Sequence, residues 1–143
     1  MPVELSLIPF VESQFDPYAQ SSTGASGIWQ FIPSTARENG LKKNWWYDGR
    51  RDILASTEAA YTFLTSLYEK YDDWLIAIAA YNAGPSRIRR EIEKNKSNGL
   101  PTDFWSLNLP RETKAYVPKI LAIVEVIRKP DKYNIELPYL ANR

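Results

Sequence analysis

Cysteine and histidine are both absent from this chain of 143 residues, and methionine occurs once. Their absence rules out a Ser-His-Asp triad, a Cys-His pair and any thiolate or imidazole metal site. A chain without cysteine is compatible with any redox compartment. No run of about 18 apolar residues occurs, so no transmembrane span is expected. The N-terminus lacks the basic and apolar regions of a secretory signal, and Met1-Pro2-Val3 reads as the trimmed start of an excised domain. A net charge of +1 provides no dominant basic field, which argues against nucleic acid as a partner.

What remains for chemistry is carboxylates, phenols, hydroxyls, amides, lysines and arginines. Aromatic residues make up 13% of the chain, with five Trp and nine Tyr. That is more than a small core needs, and it suits a groove that stacks on sugar rings or other flat faces. The length suits a single domain over residues 1–143 with one sizeable core.

Period-2 alternation is nearly missing, and the periodicities predict an all-α globule. A first helix over Glu4 to Phe15 is stopped by Asp16-Pro17. The Gly-rich stretch Gln20 to Gly27 reads as a loop able to approach a ligand closely. Ser34 to Gly40 reads as a short helix with a capping box at Thr35 and Glu38 and a C-terminal Gly40. The aromatic loop Asn44 to Asp48 follows, with Trp45 and Trp46 expected to pack it.

Asp52 should cap a long helix running to Tyr71, and Asp73 should cap Trp74 to Tyr81, which is apolar almost all round and belongs in the core. Gly84-Pro85 ends that helix. Ser86 to Asn95 is a charged surface helix and Pro101 to Pro110 a connector. A last helix from Arg111 to Arg128 should be bent or interrupted by Pro118. The pairs Arg50-Arg51 and the Arg87 to Arg90 cluster read as solvated.

Glu12 stands out against this pattern. Ile8, Val11 and Phe15 recur at helical spacing, and Glu12 falls about 40–60° from Ile8, Phe15 and Leu5, at the edge of the inward stripe. Burial disfavours the ionised carboxylate, so such a glutamate should hold its proton near neutrality. The alternative is a boundary glutamate whose stem packs while its head stays wet.

Two further segments are too polar or too glycine-rich for their surroundings: Gly27-Ile28-Trp29-Gln30 and Ala80-Tyr81-Asn82-Ala83-Gly84. With Glu12-Ser13 and Tyr116-Val117-Pro118-Lys119, in that order and spacing, they resemble the lytic transglycosylases of the bacterial cell wall. The resemblance extends over roughly Glu4 to Pro138. It implies a lysozyme-like helical domain of the goose-type/SLT kind, with a substrate groove. By that resemblance Glu12 is the catalytic acid and base, while Ser21, Gln30, Tyr81, Asn82 and Tyr116 bind substrate or orient the glutamate. Ser13 and Trp29 are further candidates near a subsite. Many relatives carry Leu-Met where this chain has Ile28-Trp29, so an indole there would reshape one sugar subsite.

Each of these residues also has an ordinary reading. Tyr81 and Tyr116 can be interior phenols, Asn82 a helix-terminal amide, Gln30 a loop amide bonded to backbone, and Ser21 one of several serines in its loop. No second carboxyl is compelling among Asp16, Glu38, Asp48, Asp52 and Glu58, which favours a mechanism using one carboxyl over the pair that standard glycoside hydrolysis needs.

The resemblance implies cleavage between N-acetylmuramic acid and N-acetylglucosamine in peptidoglycan, giving 1,6-anhydro ends. It implies no metal or cofactor, a monomer, and a periplasmic or cell-envelope location in a Gram-negative bacterium, with outer-membrane anchoring left to any longer protein. The alternatives are a water-admitting muramidase and a non-catalytic peptidoglycan-binding module.

Overall fold

The computed structural model describes residues 2–138, and those residues are helical with no named strand. The chain opens with a 3-10 turn over Val3–Leu7 and continues as α1 over Ile8–Ser13. A single helix from Glu4 was expected. Pro9 divides it, because proline has no N–H to donate to the Leu5 carbonyl, and the residues before it tighten into 3-10 geometry. Gln14 and Phe15 then take left-handed φ values of 53° and 63°, ending α1. Phe15 therefore leaves the inward stripe and lies half exposed against Phe10.

Helix α2 spans Pro33–Glu38 and starts on Pro33, without the expected side-chain cap from Thr35. Proline at the first helical position is pre-set for helix and needs no bond from its nitrogen, so Thr35 lies inside the helix instead. Its end is as read: Gly40 has φ +79°, and Gly40 and Leu41 donate N–H to Arg37 and Ala36 in a Schellman closure.

Helix α3 spans Ile53–Tyr71, with Asp52 accepting from the Ala55 N–H, and α4 spans Trp74–Ala83, with Asp73 accepting from Leu75 and Ile76. Ile76 to Ala80 are buried, so α4 is the axis of the core, packed by α3, by α5 (Pro85–Ser97) and by α6 (Arg111–Arg128). The α5 residue Asn95 is buried and donates to the carbonyls of Pro101 and Ser106, which fixes the connector. Pro118 lies inside α6 without interrupting it. The carbonyl deprived of a partner is that of Lys114, an exposed residue, so water can satisfy it. No described helix is long and apolar enough to cross a membrane.

Arg50 departs from its expected solvation. It is 5% exposed, and its guanidinium holds both Asp48 oxygens and the carbonyls of Gly24 and Phe31. The pairing keeps the Asp48 carboxyl well down, at about 2. A buried arginine is tolerated here because the carboxylate and both carbonyls answer its donors. Through it the aromatic loop is bound to the segment carrying Gly27 and Gln30.

Candidate active site

Four pieces of chain converge beside Glu12: the end of α1, the Ser21–Phe31 loop, the end of α4 and the start of α6. Together with Thr35 of α2, Phe63 of α3 and Pro85 of α5 they line a cleft of about 330 Å³ that includes Glu12, Ser21, Gln30, Tyr81, Asn82 and Glu112. A larger depression of about 610 Å³ lies between α2 and the Lys42–Asn44 segment. Its one carboxyl, Asp48, is already ion-paired to Arg50, so it offers no free carboxyl.

Glu12 carries the shifted proton affinity that its position in the sequence suggested. Burial, the largest influence, raises its pKa to about 7, and the nearby negative charge of Glu112 raises it too. The Tyr116 hydroxyl opposes them by donating to Glu12 Oε1 at 2.5 Å. Burial, followed by proximity to Glu12, pushes both the Tyr116 and Tyr81 phenols well above their usual range, so both stay protonated donors.

Tyr116 is thus placed beside the glutamate as expected. Tyr81 lines the cleft, but its hydroxyl donates to the Trp29 carbonyl at 2.8 Å rather than to Glu12. Packing of the loop against α4 brings that carbonyl within reach, and the phenol serves to hold the loop. Asn82 lines the cleft and bridges to α6, accepting from Thr113 at 2.8 Å and donating weakly to Glu112 at 3.5 Å.

The remaining expected residues act on the loop itself. Ser21 borders the cleft, but its hydroxyl pairs with Thr23 and accepts the Ala25 N–H; it does not bond Glu12. Gln30, at φ +51°, borders the cleft while its amide nitrogen donates to the carbonyls of Ala19 and Gly27, so the loop-amide reading of this residue holds. Ser13 lies outside the cleft lining and donates to the carbonyls of Pro9 and Ile28, tying α1 to the loop.

Trp29, a candidate near a subsite, lies behind the cleft rather than on its lining. Its indole is 2% exposed, donates to Thr57 on α3 and meets Tyr61 edge-on. The local turn sends Trp29 inward and leaves Gln30 at the cleft, so the departure at Ile28-Trp29 alters the core and not the cleft surface. Gly27 closes the stretch read as a loop able to approach a ligand closely. Its own close neighbour is the backbone of Arg50, which leaves no room there for a Cβ.

Glu112 was missed in the sequence. It sits one helical turn before Tyr116 on α6, and that i, i+4 spacing puts both on one face. The signal in the sequence is that spacing: a tyrosine beside Glu12 brings the carboxyl one turn before it to the same cleft.

The sequence pattern of the transglycosylase SLT domain matches residues 1–102. The membrane-bound lytic murein transglycosylase D of Escherichia coli K12 is 52% identical over 139 residues, covering 96% of this chain and 31% of that protein. A protein of Haemophilus influenzae described as a putative soluble lytic murein transglycosylase is 34% identical over 78% of this chain and 19% of its own length. This chain therefore spans about a third of the length of the Escherichia coli relative.

Among solved structures, the 70 kDa soluble lytic transglycosylase of Escherichia coli superposes with a TM-score of 0.66 at 26% identity, covering 85% of this chain and 21% of that one. An inactive Glu→Gln mutant of the lytic transglycosylase Slt of Pseudomonas aeruginosa gives 0.59 at 25% identity, covering 93% and 22%.

Proposed function

Because the chain belongs to the transglycosylase SLT domain family, we propose that it is a peptidoglycan lytic transglycosylase domain using Glu12 first as acid and then as base. The observation that carries this reading is the Glu12 carboxyl itself, shielded in a cleft, raised to about 7 and held by one phenol. A group that must give and then take a proton works best with its pKa near the working pH. That a neighbouring structure is an inactive Glu→Gln mutant supports assigning the work to one glutamate.

With Oε1 held by Tyr116, Oε2 carries the proton towards the oxygen linking N-acetylmuramic acid to N-acetylglucosamine. Protonation lets the C1–O bond break, and the substrate's acetamido group supports the positive charge that develops. The ionised carboxylate then removes the proton of the muramic C6 hydroxyl, whose oxygen closes on C1. A 1,6-anhydro ring forms and no water enters. Asn82, and the Gln30 carbonyl oxygen left over from its backbone bonds, are the amide groups at the cleft able to meet acetamido or hydroxyl groups.

Relatives named membrane-bound or soluble murein transglycosylases support action in the periplasm or cell envelope of a Gram-negative bacterium.

Glu112 keeps one rival in play, since two carboxyls in a cleft are the equipment of a hydrolase. Mass spectrometry of digested sacculi separates the two. Transglycosylation gives disaccharide-peptides lighter by one water than hydrolysed ones. A digest made only of the heavier, reducible products would overturn the proposal.

A further inference from the structure

The loop between α2 and α3 leaves Trp45 87% and Trp46 90% exposed, although both were expected to pack it. Their rings meet edge-on with centroids 6.3 Å apart. With Tyr18, itself 75% exposed, they border a hollow of about 540 Å³ that also takes in Gln20, Lys43 and Arg51. An exposed cluster of large aromatics is what interaction sites look like, since water gains nothing from such surface.

The loop is also built to keep its shape. Asn44 Oδ1 accepts from the backbone N–H of both Trp46 and Tyr47 at 2.8 Å, and the Asn44 N–H donates to the Tyr47 carbonyl. The Tyr47 hydroxyl donates to Asp52, which caps α3. Asp48 closes the loop on the buried Arg50, whose guanidinium reaches the Gly24 and Phe31 carbonyls. The aromatic platform and the cleft loop are therefore tied together through Arg50.

The two depressions also adjoin along the chain. Gln20 borders the aromatic hollow, and the next residue, Ser21, borders the cleft of Glu12. We infer that Trp45 and Trp46, with Tyr18, form a distal glycan subsite that extends the cleft and binds sugar rings of the same peptidoglycan strand. Indole faces carry negative charge and suit the C–H face of a pyranose. Arg51 at the rim complements the carboxylates of peptidoglycan side chains, while Lys43 there is already paired with Asp48 at 3.7 Å. This inference rests on the proposed function, because it assigns the platform to the strand that Glu12 cleaves.

Two measurements test it with the double variant Trp45→Ala/Trp46→Ala. In the Glu12→Gln background, sedimentation with purified sacculi is expected to show about tenfold weaker binding, the scale of losing a good aromatic contact. With Glu12 intact, the ratio of kcat/KM on long glycan chains to that on a tetrasaccharide should also fall about tenfold, because the short substrate does not reach the platform. Trp45→Phe/Trp46→Phe should restore part of both. Unchanged affinity and an unchanged ratio would overturn the inference. So would lost binding to vesicles of anionic phospholipid with sacculus binding intact, which would make the loop a membrane contact. Failure of the parent to yield anhydro products would instead refute the proposed reaction, whatever the loop does.

Discussion

Glu12→Gln is expected to slow cleavage of sacculi by about 10³-fold while binding survives, because one side chain performs both proton transfers and the amide performs neither. The amide fills the same space, and its oxygen still accepts from Tyr116, so the loss is chemical. Stability provides the control. The folded state raises the carboxyl from 4.5 to about 7, so the folded protein binds the proton more tightly than the unfolded chain. Stability from this group accordingly falls as pH rises from the unfolded value through about 7, and the carboxylate is a burden above that. The glutamine variant is spared this effect. It should melt no lower than the parent at pH 8 in a calorimeter. A variant that is inactive and also melts far lower would mean that the fold had been lost rather than the acid.

Gly27→Ala is expected to destabilise the domain by about 3–5 kcal/mol, combining left-handed strain with forced overpacking. Gly27 has φ +81°, and a Cβ built there would lie 1.7 Å from the Arg50 carbonyl oxygen. That neighbour is backbone, anchored by the Asp48 pair, and cannot swing aside. The displacement also disturbs the Gly27 carbonyl that Gln30 holds and, two residues on, the Trp29 carbonyl that fixes Tyr81. Gly24→Ala is the matched comparison: φ is +82°, but nothing lies within 4 Å of its Cβ. Only the conformational strain remains, about 1–2 kcal/mol. Equal losses in the two variants, measured by denaturant unfolding, would show that close approach to Arg50 plays no part.

The first link from sequence to site held, although one of its premises failed. Glu12 stands out in the sequence because Ile8, Val11 and Phe15 share a helical stripe. Ile8 is fully buried, but Phe15 leaves the stripe as α1 ends in two left-handed residues. Burial of the carboxyl comes instead from its cleft surroundings, where Tyr116 reaches it from 104 positions along the chain. Periodicity marks a face, but it does not say what covers that face.

Helices with strong local signals were legible: the aspartate caps at Asp52 and Asp73, the apolar α4 and the closure at Gly40 all follow from side chains within a few positions. Pro9, Pro33 and Pro118 were harder, since one residue type divided a helix, began one and sat inside one without interrupting it. The outcome depends on which carbonyl is deprived and whether water or a neighbour serves it.

Around the cleft, residue identity was easier to read than role. Ser13, Ser21 and Gln30 shape the loop through backbone carbonyls and N–H groups, and Trp29 packs the core behind it. Those partners are set by tertiary placement and leave no local trace. The same holds for Arg50, whose neighbour in the sequence, Arg51, is exposed, and for Trp45 and Trp46, whose chemistry favours burial but whose loop turns them outward.

A carbon-13 titration of the Glu12 side-chain carboxyl, with the Glu12→Gln variant to assign the resonance, addresses the proton affinity directly. The account predicts a midpoint near 7. A midpoint at the ordinary glutamate value of 4.5 would mean an ionised carboxylate at neutral pH, with no proton to give to a glycosidic oxygen.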